Sequence, residues 1–496
     1  MGAKKKRLPW HWGPSKRKLY AEKVAHLATA RRAKMSYDGA SGSARLRSWM
    51  SNGNSGNSEV LGGLVKLQQR SRELMRQEWR AKSAVRALVR SIVGAGIRPL
   101  PDIEDQKQAK QIKLAWSRWT AQARTSSSST WYTTTDQAAQ SMIVDGECFI
   151  RMRLRKPGDG MDIPIQWQLL ESDMLDVSYD QDLGAQGRIV QGIEFGPFGR
   201  RTFYHFWKSH PGDTSTTYTS ERVKVPADEV IHLWNQAEAR PGQVRGIPWM
   251  HAVMVAIREV SVTEDAMRVG LQHSTMLSGT VTSPDPDVFE TTLPADPLGA
   301  DSAGTEMYEL EPGMMLRLNP GDESKFAEVK APAGVTEYLN SGDHGIAAGV
   351  GTTFEDMTGN LSQVNYSSAR MGRSNSRAWY KMIRANVIVP QMCQPAWDWF
   401  VRVGKLTGEI PMGYDSRDVR WIAPMEDGID PVKDAAAASA RMASGQTTLE
   451  DEIEAVGGDY YATIDRAKRV KDDLEKRGLK YDWVIPSVVE VSSDDE

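Results

Sequence analysis

The richest chemistry in this chain is a run of cations. Between Gly359 and Pro390 it carries Arg370, Arg373, Arg377, Lys381 and Arg384 and no carboxylate; the flanking acids are Asp356 and Asp398. The spacings are three, four, four and three, which on a helix gather all five charges into one narrow stripe. Trp379, Met382 and Ile383 fall on the opposite face, so the segment reads as an amphipathic helix with a cationic edge. Like charges at such spacings repel by roughly 0.2–0.5 kcal/mol per pair, and an anion is expected to offset that cost. It is either carboxylates from another helix beside a solvated face, or a line of phosphates.

Other signatures of chemistry are missing. The sequence contains no G-x-x-x-x-G-K-[ST], no H-E-x-x-H and no G-x-S-x-G, so a P-loop ATPase, a zincin and a serine hydrolase elbow are not expected. The eight histidines show no metal-ligand spacing. His205 and His210 sit in an aromatic strand and its loop, and are read as structural. Asp322 followed by Glu328 and Lys330 is a loose nuclease-like match within an acidic loop. The expectation is a protein without catalytic residues, metal or cofactor.

The 496 residues allow two to four domains, and 40% hydrophobic with 25% charged residues is ordinary for a soluble protein. Cys148 and Cys393, the only cysteines, support neither a disulfide framework nor a cysteine metal site. No apolar run is long enough to span a membrane, and the basic start "MGAKKKRLPWHW" lacks the apolar stretch of a signal peptide. A net charge of −2 conceals segregation. Residues 1–50 hold 13 Lys/Arg against Glu22 and Asp38, whereas 279–356 hold 15 Asp/Glu against Arg317, Lys325 and Lys330. From Ser444 onward there are 14 acids and seven bases. A basic arm, an acidic insertion and an acidic tail follow.

The elements that must position the stripe are legible in outline. A Gly/Ser/Asn-rich connector at 39–58 precedes a helix expected over 58–92, stopped by Gly94, Gly96 and Pro99. A second helix is expected over 103–123. From residue 133 the pattern becomes helix and then short strands: "ECFIRMRL", "IPIQWQLL", "IVQGIEFG", "RTFYHFW" and "EVIHLW". Helices are expected over 248–276 and 335–348, then the basic helix ending near Pro390, then one over "QPAWDWFVRVGKLTGEI". Asp430-Pro431 should start an Ala-rich helix, Thr447 with Glu450 a capping box, and Gly457-Gly458 should separate the last helix. The fold class is α+β.

Several strings, in this order, resemble the lambda family of tailed-phage portal proteins: "IVGAGIRP", "DGECFIRM", "QLLESDML", "VQGIEFGPFGRRTFYHFW", "VPADEVIHLW", "RPGQVRGIPWM", "IAAGVGTTFEDMTGNLSQVNYSSAR" and "DPVKDAAAASARMASGQTTLEDEIEAVGGD". The resemblance covers about 70–479. It implies a dodecameric ring at one capsid vertex, around a channel for double-stranded DNA read without sequence specificity. It implies genome packaging by the terminase large subunit, head–tail joining through an adaptor, and DNA ejection. The major capsid protein and scaffold would be further partners, and no membrane is involved. The location would be the portal vertex of the virion, reached from the host cytoplasm during assembly. Carried onto this chain, residues 1–59 form a basic arm, 60–249 an α/β wing, 250–277 a stem helix and 278–334 a small clip. A second stem helix follows at 335–350, the tunnel loop and long helix at 351–400, a return to the wing at 401–427, an α-helical crown at 428–480 and an acidic tail at 481–496.

In that frame Asn360, Ser362, Gln363, Asn365, Tyr366, Ser367 and Ser368 belong to the channel loop, where short neutral groups suit transient contact with phosphate. The stripe behind them faces the lumen or pairs with a neighbouring subunit; a strong clamp would stall transport, which favours pairing for some of the five. Asp285, Asp287, Glu290 and Asp296 form an acidic clip surface expected to repel DNA and attract basic partner surfaces. Two other readings compete. A nuclease of the packaging apparatus is disfavoured by the missing motifs, and a plain DNA-binding protein by the acidic clip and tail.

Overall fold

The computed structural model describes residues 18–26, 48, 51–125, 129–156, 158–213, 221–282, 299–300, 306–307, 314–318, 334–362, 366–424 and 430–479. Two compact units are distinguished, Met1–Ser55 and Gly56–Glu496. In the first, residues 18–26 form a helix (α1) with Leu19, Tyr20 and Val24 exposed. The Asp285, Asp287, Glu290 and Asp296 surface and the Asp322/Glu328/Lys330 match lie outside the described residues.

The second unit opens with α2 (Gly56–Gln77) and α3 (Trp79–Ile92). One continuous helix is expected there, but Glu78 is extended, with φ −103° and ψ 120°. Its carboxylate accepts from Ser261 Oγ at 2.9 Å, so a distant helix helps hold the break. β1 (Arg98–Pro101) leads to α4 (Gln106–Thr120), capped by Asp105, whose side chain accepts from the backbone N–H groups of Lys107 and Gln108. α5 (Trp131–Asp145) ends on Gly146 at φ +88°. Trp116 and Trp119 of α4, Trp131 of α5, and Trp167 gather into an aromatic core.

Strands β2 (Glu147–Leu154), β3 (Ile165–Leu170), β4 (Gln181–Asp182), β5 (Arg188–Val190), β6 (Ile193–Phe195), β7 (Arg201–Trp207), β8 (Arg222–Pro226) and β9 (Val230–Trp234) make two antiparallel sheets. One has the order β3-β2-β9 and the other the meander β4-β5-β6-β7-β8. Phe149, Leu170, Tyr204, Phe206 and Val225 seal the space between them. A 3₁₀ turn at Trp249–Ala252 starts α6 (Met254–Met276). Beyond it β10 (Leu277–Thr282) pairs in parallel with β13 (Met314–Leu318), and β11 (Gly299–Ala300) pairs antiparallel with β12 (Glu306–Met307).

α7 (Val335–Val350) and the short α8 (Phe354–Thr358) precede α9 (Tyr366–Ile383). The chain does not stop at Pro390, where the sequence suggests an end. Arg384–Cys393 continues as a π-helical stretch with Pro390 inside it, and α10 (Gln394–Thr407) follows directly. The wider turn accommodates a residue with no N–H and a ring that would clash in an α-helix. Trp397 and Phe400 of α10 complete the aromatic core. β14 (Val419–Ile422) then pairs antiparallel with β1.

α11 (Pro431–Ala443), α12 (Leu449–Ala455) and α13 (Tyr460–Lys476) bury no residue. Polar contacts tie this part to the body: Arg420 to Glu450 at 2.6 Å and Glu454 at 3.2 Å, and Lys113 to Asp459 at 2.6 Å. Asp430 caps α11 as expected. The capping box is Thr448 with Asp451, one residue beyond the expected Thr447–Glu450 pair. The molecule is mixed helix and sheet, as the α+β assignment requires.

Candidate functional site

The basic helix is anchored as its pattern requires. Ile383 is fully buried, and Trp379 and Met382 pack on the main core. Arg373 and Lys381 are exposed, Arg377 is half-buried, and Arg384 is buried where the π-helical stretch begins. The stripe is therefore a graded series, cationic to water at Arg373 and Lys381 and drawn into the body at Arg384. Arg370 lies on α9, whose first turn holds Tyr366, Ser367 and Ser368. Those three residues were expected in the loop; the helix begins earlier. Gln363 and Asn365 lie outside the described residues.

The start of the loop is a chain of local caps. Thr353 accepts from Asp356 N at 3.1 Å to begin α8, and Gly359, at φ +70°, ends it by donating to the Glu355 carbonyl at 2.8 Å. Asn360 N donates to Thr358 Oγ1 at 3.1 Å, and Ser362 N to Asn360 Oδ1 at 3.0 Å. The Asn360 carbonyl oxygen thus shapes the turn, leaving its side-chain amide group for contacts outward. Leu361 in this turn and Met371 on α9 are largely exposed. Arg90 of α3 meets Asp356 at 3.0 Å, fixing α8 to the body.

A second constellation escapes the sequence pattern. Glu147, His232 and Arg245 meet inside the protein, contributed by "DGECFIRM", "VPADEVIHLW" and "RPGQVRGIPWM". Arg245 Nε donates to Glu147 Oε1 at 2.6 Å, and the Gly246 N–H donates to Oε2 at 3.1 Å. His232 Nδ1 lies 3.1 Å from Arg201, which can only donate, so Nε2 carries the proton and gives it to Glu147 Oε2 at 3.0 Å. Arg245 also reaches the carbonyls of Gln191 and Ser172. Despite complete burial, Arg245 and then His232 hold the Glu147 carboxyl down at about 2; burial pushes His232 down to about 4, so the imidazole is neutral.

Around this cluster the backbone is tight. A Cβ on Gly146 would lie 2.2 Å from the Ile247 backbone, and one on Gly246 would lie 2.0 Å from the Gly146 carbonyl. Asp145 joins α2 through Arg72 Nε at 2.7 Å, while burial pushes its carboxyl up to about 6. The "DGE" triplet therefore locks helix, loop and sheet together. Its arrangement is closed on all sides and holds the fold; it offers no substrate access.

His205 meets Glu194 at 3.1 Å, a satisfied structural pairing. Glu171, Asp173 and His210 form the one metal-like grouping among the described residues. His210 Nδ1 accepts from Gly212 N at 3.0 Å, which leaves Nε2 as an N–H facing Glu171 at 3.2 Å. The histidine lone pair needed for coordination is taken by Gly212, and Asp173 is already in an ion pair with Arg72. No described helix is long and apolar enough to cross a membrane.

The chain's relatives give this geometry its setting. A portal protein of Halomonas phage phiHAP-1, described as probable, is 25% identical over 320 residues, 62% of this chain and 58% of that protein. Portal protein B of Escherichia phage lambda is 26% identical over 189 residues, 36% of this chain and 34% of the relative. The chain thus spans less than two thirds of the length of these curated relatives. A solved structure titled as the neck of a native GTA particle computed with C12 symmetry matches at TM-score 0.41 and 11% identity, covering 78% of this chain and 93% of the other. The family model for phage portal proteins of the lambda family matches residues 42–384, most of the chain. This chain belongs to the lambda family of phage portal proteins.

Proposed function

We propose that copies of this chain assemble into a ring at one vertex of a phage capsid and that duplex DNA passes through its centre during packaging and ejection. The observation that carries this reading is the family match across residues 42–384. The chain acts mechanically and catalyses no reaction: motion along DNA comes from the terminase large subunit, and a head–tail adaptor takes its place after filling. The major capsid protein and scaffold surround the ring. Its place in the finished particle is the portal vertex, after assembly in the host cytoplasm.

Residues 60–249 would form the wing, 250–277 and 335–350 the stem, 278–334 the clip, 351–400 the tunnel loop and its helix, and 428–480 the crown. Residues 401–427 would return to the wing, 1–59 would be the basic arm and 481–496 the acidic tail. The loop around Asn360, Ser362, Gln363 and Asn365, with Tyr366, Ser367 and Ser368 at the start of α9 behind it, would lie nearest the duplex. Weak neutral contacts let DNA slide, because sequence-independent phosphate contacts position without reading bases. Exposed Arg373 and Lys381 supply a positive field just behind; Arg377 and Arg384 serve packing, within a subunit or across to its neighbour. Asp285, Asp287, Glu290 and Asp296 would face the motor.

The test is the mass and shape of the purified chain. Twelve copies of a 55.1 kDa chain make a particle of about 660 kDa with a central hole, the closed cyclic assembly that repeated head-to-tail contacts produce. A monodisperse monomer at micromolar concentration over several salt concentrations would contradict it. In cells, Asn365→Trp with Ser367→Trp should block packaging while the ring still assembles.

A further inference from the structure

Helix α6, with Val253 just before it, packs antiparallel to α7 through a repeated valine-on-glycine contact. A Cβ on Gly349 would lie 2.4 Å from Val253 Cγ1, and one on Gly342 would lie 2.8 Å from Val260 Cγ2. Val253 and Val260 are seven apart, as are Gly342 and Gly349. The valine ridge therefore sits in a groove that exists only because glycines line it. Arg80 of α3, itself 3% exposed, secures the pair by binding Glu264 of α6 at 2.9 Å and Asp343 of α7 at 2.5 Å.

The same two ingredients recur on the outside of the pair, unmatched among the described residues. Val255, Val262 and Val269 repeat at seven-residue spacing and are 65%, 60% and 42% exposed. At about 100° per residue they lie on the face of α6 opposite Val253 and Val260. On α7, Ser341, Gly345 and Ala348 are exposed, roughly a quarter turn from Gly342 and Gly349. A Cβ on Gly345 would meet nothing within 4 Å. One helix thus offers a free β-branched ridge, and its partner offers a free groove of small residues.

We infer that the Val255/Val262/Val269 ridge of one copy docks into the Ser341/Gly345/Ala348 groove of the next, repeating between chains the packing that α6 and α7 already make within one. This inference rests on the ring reading and names its seam. Ridge and groove lie on different helices, so each copy gives one and receives one. That is a heterologous contact, which propagates around a closed ring. β-Branched valines suit such a seam because they are already restricted in χ1 and lose little side-chain freedom on docking. Small residues let the helices approach closely, as they do at Gly342 and Gly349.

The test uses the full chain with paired cysteines. The native Cys148 and Cys393 are buried, so introduced surface cysteines are the ones that react. Val262→Cys combined with Gly345→Cys, or with Ser341→Cys one step along the groove, should give on mild oxidation a ladder of covalent multiples up to the full ring. The single-cysteine variants should give no ladder. Assembled rings that oxidise without a ladder in either pairing would overturn the seam and leave the ring reading standing. Dimers from Val262→Cys alone would show ridge meeting ridge, and would also overturn it. A chain that is monomeric before oxidation would overturn both. As a second readout, Gly345→Trp should raise the concentration needed for assembly at least tenfold while the urea midpoint of the dissociated chain does not fall; rings formed at the wild-type concentration would contradict the inference.

Discussion

Replacing His232 by Gln tests the buried cluster, with a sign that changes with pH. Gln can donate an N–H to Glu147 and accept from Arg201, as the neutral imidazole does, but it cannot charge. The native His232 is held down at about 4 by burial, against 6.5 for the free group. A depressed histidine binds fewer protons when folded, so its share of stability is full above pH 6.5 and is lost as pH falls through 4. At 1.36 kcal/mol per pKa unit, that depression corresponds to a few kcal/mol, on the order of 3. At pH 7 the variant should be less stable by about 1–2 kcal/mol, the cost of disturbing a buried contact. At pH 4 it should be more stable than the wild type by a similar amount.

Urea unfolding followed by tryptophan fluorescence, at fixed protein concentration and at half-unit steps from pH 7 to 4, measures both chains. The difference between them isolates His232, because Asp145 acts in the opposite direction in both. Its carboxyl is raised to about 6 by burial, so its contribution falls as pH rises from 3.8 to 6. Glu147, held at about 2, contributes stability that is full above pH 4.5 and lost only below it. A stability difference that stays flat across pH 7 to 4 would refute the assignment of a neutral, buried His232 donating to Glu147.

Gly146→Ala should fail to fold or lose more than about 3 kcal/mol in urea unfolding, since its Cβ would meet the Ile247 backbone at 2.2 Å and the residue sits at φ +88°. Gly372→Ala, on α9 with nothing within 4 Å, should instead raise stability by about 1 kcal/mol. Arg80→Met should cost about 3–5 kcal/mol by leaving Asp343 buried without its partner, and urea midpoints at pH 7 would measure it. Arg373→Glu with Lys381→Glu should leave the unfolding midpoint unchanged, because both side chains are exposed, yet reduce packaged genomes in a complementation assay by tenfold or more; normal particle yields would remove these cations from the DNA path.

The sequence makes local devices legible and leaves long-range ones hidden. The amphipathic pattern of α9 and its anchors Trp379, Met382 and Ile383 could be read directly, because helix period and residue type suffice. Asp430 before Pro431 likewise announces α11. The passage of the chain through Pro390 could not be read, since a π-helical stretch has no simple sequence signature. The break at Glu78 depends partly on Ser261, 183 residues away. The Glu147–His232–Arg245 cluster joins residues 85 and 98 positions apart; each sits in a string that resembles the family, but nothing local says that the three meet. The stripe was visible as a charge pattern, whereas the burial of Arg384 is set by tertiary packing.

Imaging a filled particle tests most directly whether this chain surrounds DNA, as proposed. In an electron cryomicroscopy map of genome-containing particles, the account predicts a ring of this chain at one vertex with duplex density along its axis. The Asn360–Ser362 turn should be the protein nearest that density, with Arg373 and Lys381 behind it. A ring whose axis is empty of DNA in filled particles, or one that places this turn on its outer circumference, would contradict the account.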